Sequence, residues 1–82
     1  MGVDPEKSLT AAIILKAYQD YKWAWIYKLK GEEKEDFNLT ELEEFFNSQW
    51  FEELCEIVKM PPQSIREKVA KIRSKYEKRL QN

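Results

Sequence analysis

The sequence contains no histidine, one cysteine (Cys55) and two glycines (Gly2 and Gly31). Without histidine there is no imidazole base and no Cys/His zinc cluster, and a single cysteine closes no disulfide within the chain. Two isolated glycines build neither a P-loop nor a dinucleotide-binding turn. Long apolar runs are also missing. Residues 8–15 are apolar but follow Asp4 and Glu6 and end at Lys16, which is not the pattern of a signal peptide. The stretch continuing to Leu29 carries Lys16, Asp20, Lys22 and Lys28, so it does not cross a bilayer uncharged. These absences point to a non-enzymatic protein without cofactor or metal, and the unpartnered thiol fits a reducing, cytoplasmic compartment.

What the 82 residues do contain is 43% hydrophobic and 35% charged, with eleven aromatics. That suits one folded helical domain. The net charge of −1 conceals a segregation. Residues 1–30 carry five lysines against three acids, residues 31–57 ten acids against Lys34, and residues 58–82 eight bases against Glu67 and Glu77. An acidic and a basic pole on one small domain imply pairing within or between copies, or two faces for different partners.

The chain divides into four expected helices, near 5–29, 39–47, 49–59 and 62–80, separated at residues 31–37 by an acidic loop. Asp4 and Pro5 provide a helix start and Gly31 a left-handed stop. Ile14, Tyr18, Tyr21 and Trp25 recur at helical spacing. Tyr21, Trp23, Trp25, Tyr27 and Leu29 also alternate at period two, the pattern of a half-buried strand, but no second strand-like run exists to pair with them. The second helix has two candidate caps, Asn38 with Glu41 or Thr40 with Glu43. Ser48 caps the third, whose buried face begins with Trp50 or Phe51 and continues through Leu54, Cys55, Ile57 and Val58; Met60-Pro61-Pro62 ends it. The last helix carries Ile65, Val69, Ile72, Tyr76 and Leu80 as a narrow stripe, flanked on one side by Lys68, Lys71, Lys75, Lys78 and Arg79. The expected architecture is an all-α, compact four-helix domain with a core of Ile14, Tyr18, Tyr21, Trp25, Leu42, Phe45, Trp50, Leu54, Val58, Ile65, Val69 and Ile72.

Residues 53–66 resemble a helix-turn-helix. Leu54, small Cys55, Val58, Met60 and Ile65 occupy the anchor positions of that motif, while Lys59 stands where the turn commonly has glycine. The resemblance implies duplex DNA as partner, with Gln63, Arg66 and Glu67 offered to base edges and Lys68, Lys71, Arg73 and Lys75 on the contact surface. The acidic isoelectric point near 5.5 opposes such binding unless the acidic segment points elsewhere.

The carboxylates Glu32, Glu33, Glu35 and Asp36, with the pairs Glu41/Glu44 and Glu53/Glu56, lack the oxygen pattern and turn glycine of a calcium loop. They read as solvated surface, or as a surface imitating nucleic-acid phosphate. Cys55 has no nameable base and reads as a small buried hydrophobe. The aromatics exceed what one core stripe holds. One or two left outside would anchor a protein interface, for which Trp23, Tyr27, Glu41, Glu44, Glu52 and Glu53 are candidates.

Ala17-Tyr18-Gln19-Asp20-Tyr21, then Phe45-Phe46-Asn47-Ser48-Gln49-Trp50-Phe51 with Leu54, then Pro62 and Ile65-Arg66, give the chain a pattern A-x-x-D-Y followed by F-F-x-S-x-W-F-x-x-L. In this it resembles small proteins encoded by phages and prophages of Gram-positive bacteria. The resemblance implies an all-helical accessory protein acting in the host cytoplasm, without assigning binding residues. The leading functional expectation, carried by the Leu54 to Ile65 spacing and the basic flank after it, is a DNA-binding or transcription-regulatory factor. The alternative is a protein that inhibits or redirects a host protein, such as a defence nuclease or the transcription machinery. A homodimer joining opposite poles is a further expectation.

Overall fold

The computed structural model describes residues 5–32 and 38–81. Four helices follow one another: α1 (Pro5–Leu29), α2 (Leu39–Phe46), α3 (Gln49–Val58) and α4 (Pro62–Gln81). They match the expected elements to within two residues at each end, and no strand occurs among the described residues. The proposed Asp4 cap, and residues 33–37 of the expected acidic loop, lie outside the described residues.

The period-two pattern of residues 21–29 belongs to helix after all. Residues two apart sit about 200° apart around a helix, hence on opposite sides. Tyr21 and Trp25 accordingly lie in the core, while Trp23 is 48% exposed. The helix ends as its glycine dictates. Gly31 adopts φ +75, its N–H donates to the Lys28 carbonyl at 3.1 Å, and the Glu32 N–H reaches the Tyr27 carbonyl at 2.9 Å.

Of the two candidate caps for α2, Asn38 is the one used; its side-chain oxygen accepts from the Glu41 N–H at 3.1 Å. Ser48 does double duty at the α2–α3 joint. Its hydroxyl donates to the Phe45 carbonyl at 2.6 Å, closing α2, and accepts from the Phe51 N–H at 3.1 Å, opening α3. Helix α3 terminates like α1, but through Lys59, which takes the left-handed conformation at φ 56. The Met60 N–H then bonds the Cys55 carbonyl at 2.9 Å, and the Lys59 N–H the Glu56 carbonyl at 3.1 Å.

Helix α1 is the spine against which the other three pack. Tyr21, fully buried, meets Trp25 and Phe46 edge-on with ring centroids 6.4 and 6.0 Å apart. Phe45, Phe46 and Phe51 complete an aromatic cluster with centroids 5.3 to 5.5 Å apart. Each such pair contributes about 0.5–1.5 kcal/mol beyond area burial. At the far end Trp25 stacks on Tyr76 at 6.1 Å. Ile14 near Ile65 at one end and Trp25 against Tyr76 at the other make α1 and α4 run in the same direction.

The core departs from expectation at Trp50, which is 55% exposed. Phe51, Leu54 and Cys55 are buried at helical spacing, with Val58 packed against them. Trp50 is about 100° off that face, and its ring rests on the outer edge of Phe45 at 5.4 Å. Tyr18, Leu42, Phe45, Val58 and Ile72 are half-buried and pack against the core, while Phe46 and Ala24 join it. Met60, proposed as a turn anchor, is 43% exposed.

Candidate functional site

Two surfaces gather most of the residues singled out by the sequence. The first lies where α2 and α3 meet one flank of α4. The Arg66 Nε donates to the Phe46 carbonyl at 2.7 Å, and its Nη1 to Glu52 Oε1 at 3.0 Å. Its guanidinium also rests 5.5 Å from the centroid of the Phe51 ring. Because Phe46 ends α2, Arg66 satisfies a carbonyl that the helix leaves without an internal donor. Arg73 Nε is held by Glu77 Oε1 at 2.8 Å and its Nη1 lies 3.8 Å from Glu43 Oε2. Glu43 also accepts from the Tyr21 hydroxyl at 3.0 Å. Burial, reinforced by that carboxylate, raises the Tyr21 phenol to about 12, so it stays protonated at neutral pH. The acidic and basic poles are thus in direct contact here, and two of the cations proposed for DNA are engaged within the chain.

The second surface is the opposite flank of α4. Lys68, Lys71 and Lys75 are exposed, and none forms an ion pair among the described residues. Gln63 and Glu67 are also exposed, near the start of α4. The flank therefore keeps the three lysines of the proposed DNA contact and loses the two arginines.

Beside Lys68 opens a groove of about 350 Å³ lined by Ala11, Ile14, Leu15 and Tyr18 of α1, Met60 of the turn, and Ile65 and Lys68 of α4. Its lining is apolar apart from Lys68. Ala11, Leu15, Tyr18 and Lys22 follow each other along α1 at steps of four, three and four, and the Lys22 ammonium lies 4.8 Å from the Tyr18 ring centroid. Farther along the seam Lys75 and Arg79 both lie over Tyr76, at 5.9 and 5.5 Å from its ring centroid. Both walls of the seam carry cations above an apolar floor.

No family model, no curated protein and no solved structure matches the chain.

The remaining interface candidates form no single surface: Trp23 and Tyr27 belong to α1, the glutamates to α2 and α3. Trp23 and Tyr27 lie side by side along α1, their rings tilted by 33° with centroids 6.0 Å apart. Glu41, Glu44 and Glu53 are exposed on α2 and α3 and form no ion pair among the described residues, whereas Glu52 is bound to Arg66. Trp50, on α3 itself, is the exposed aromatic among the glutamates of these helices. Among the described residues no group of three or more acidic or thiol side chains could hold a metal ion. Burial pushes the Cys55 thiol up, with Arg66 partly opposing it. No described helix is long and apolar enough to cross a membrane.

The groove is the feature the sequence reading missed. Its signal was Leu15, an apolar residue off the Ile14, Tyr18, Tyr21 and Trp25 stripe and 55% exposed. Only the return of the chain at Met60 and Ile65 turns that residue into the wall of a cleft.

Proposed function

We propose that this chain is a non-enzymatic accessory protein of phage type that works by binding another protein in the bacterial cytoplasm. The observation carrying this reading is the amount of large apolar side chain held at the surface: Leu9, Leu15, Trp50, Trp23 and Met60 are 66, 55, 55, 48 and 43% exposed on a domain with few residues to spare. Apolar and aromatic side chains in such positions lose nothing by being covered, and aromatics are the usual anchors of interfaces. The test is capture from a bacterial host by the intact chain and by folded variants carrying Trp50→Ala, Trp23→Ala or Leu15→Glu. A stoichiometric protein retained by the parent and lost by one variant supports the reading. Recovery of nucleic acid alone would overturn it.

A helix-turn-helix-like DNA-binding or regulatory factor is the second reading. It is supported by the three-residue turn at residues 59–61 with left-handed Lys59, and by the exposed Lys68, Lys71 and Lys75. Its contacts are Gln63, Glu67 and these lysines, with Arg66 and Arg73 assigned to holding α4 on α2 and α3. Binding to mixed-sequence duplex at two salt concentrations separates the two. A DNA interface weakens steeply with salt, and removing each phosphate-contacting lysine lowers the slope by about one. The homodimer reading loses part of its electrostatic motive, because Glu52–Arg66 and Glu43–Arg73 pair opposite poles inside one copy.

A further inference from the structure

The groove between α1 and α4 has a lining of one chemical kind and a rim of one charge. Six of its seven lining residues are apolar, and the seventh is Lys68. Lys22 stands at its α1 edge over Tyr18, while Lys75 and Arg79 continue the α4 edge over Tyr76. The acids of α4 point away from this side: Glu77 is bound to Arg73 on the opposite flank, and Glu67 lies about 100° around the helix from Lys68. On α1, Asp20 is already paired with Lys16 at 3.6 Å. A cleft of this size has room for two or three aliphatic side chains.

We propose that this groove receives an amphipathic helix of a partner protein, with aliphatic or aromatic anchors at helical spacing and glutamate or aspartate beside them. The inference rests on the protein-binding reading and names the chemistry of the partner. Charge complementarity selects the occupant. The apolar floor accepts side chains that a nucleic acid does not offer, and the lysine rim rejects a basic helix. From Ile65 to Arg79 the α4 wall of the seam spans about 21 Å, with its cations over the last about 16 Å from Lys68 on, room for about four turns of a docked helix lying along it. Exposed lysines keep their stems on apolar surface while the ammonium groups meet carboxylates, so rim and floor act on the same ligand.

The experiment is selection of helical peptides about four turns long from a randomised displayed library, using the intact protein as bait. Enriched peptides are then measured against the parent, Leu15→Glu, Lys68→Glu and Trp50→Ala proteins. Leu15 and Lys68 are exposed, so these substitutions leave the core untouched. The expected outcome is enrichment of acidic peptides with anchors at i, i+3 or i+4, and i+7. Their affinity falls at least about tenfold on Leu15→Glu and on Lys68→Glu and is unchanged on Trp50→Ala. Amide chemical-shift changes should concentrate at Ala11, Leu15, Tyr18, Met60, Ile65 and Lys68. Enrichment of neutral or basic peptides, no enrichment, or shifts centred on Trp50 would overturn the groove assignment. If the host partner is lost on Trp50→Ala but retained on Leu15→Glu, protein binding stands and the groove is wrong. Displacement of the acidic peptides by duplex DNA without any protein captured from the host would sink the protein-binding reading itself.

Discussion

Arg66 of α4 caps α2: its Nε donates to the carbonyl of Phe46, the last residue of that helix, at 2.7 Å. The same guanidinium holds Glu52 of α3, so one side chain ties three helices together. Substituting Arg66 by Ala should cost about 1–3 kcal/mol, because a charge-assisted bond and a carbonyl partner are lost together. Glu52→Gln should cost only about 0–1 kcal/mol, since that carboxylate is half exposed and solvent takes over its role. Urea denaturation of the two variants checks this. Equal losses would mean that the ion pair, not the bond to Phe46, holds α4 in place.

Neighbouring aromatics in α3 should respond very unequally to truncation. Phe51 is fully buried against Phe45 and Phe46, and replacing it by Ala leaves a cavity worth about 3–5 kcal/mol, which a domain of this size can fail to survive. Trp50→Ala removes a ring lying over the edge of Phe45 and should cost less than about 1 kcal/mol. Thermal unfolding followed by circular dichroism distinguishes these outcomes. A Trp50 variant as damaged as the Phe51 one would contradict the inward face assigned to α3.

Two helix ends use the left-handed conformation with different residues. At Lys59 the φ of 56 places a side chain where glycine is preferred, so Lys59→Gly should raise stability by about 0.5–1 kcal/mol after the entropic cost of glycine. Gly31→Ala should lower it by about 1 kcal/mol although nothing lies within 4 Å of the added Cβ, because the strain is in the backbone and not in packing. The denaturant midpoints of the two variants should therefore move in opposite directions.

Tyr21 makes stability sensitive to alkali. Its phenol is raised from 10.0 to about 12, first by burial, so in the unfolded chain it releases its proton at lower pH than in the folded one. The contribution of Tyr21 is complete below pH 10 and is lost as pH rises toward 12. Tyr21→Phe should flatten the fall in stability across this window relative to the parent. An ultraviolet titration in which all four tyrosines ionise together at their ordinary value would refute the shift.

The helices were legible because each end carries its own chemistry: Ser48 and Asn38 accept from backbone donors three residues on, Gly31 takes the left-handed stop, and Pro61-Pro62 separates α3 from α4. The α4 stripe was legible over its first four members, since Ile65 and Val69 are buried with Ile72 and Tyr76 beside them, whereas Leu80, its last member, lies beyond the core and is 44% exposed. Local readings stopped where two residues compete for one face. Trp50 and Phe51 are both large and apolar, and only the seat of α3 against α1 and α2 decides that Phe51 turns inward.

Charge was legible as amount and not as geometry. The composition of residues 31–57 and 58–82 determines that opposite charges exist, and the periodicity of α4 puts Arg66 and Arg73 on one flank and Lys68, Lys71 and Lys75 on the other. Which flank faces the acids is a matter of how α4 packs. Bringing α2 and α3 against the arginine side uses those cations to satisfy Phe46, Glu52 and Glu43, and leaves the lysines beside the groove of Leu15 and Met60. Helix identity follows from bonds between residues three to five apart, which sequence displays; a cleft between residues some fifty apart in the chain, such as Leu15 and Ile65, exists only once long-range packing has placed α1 and α4 side by side.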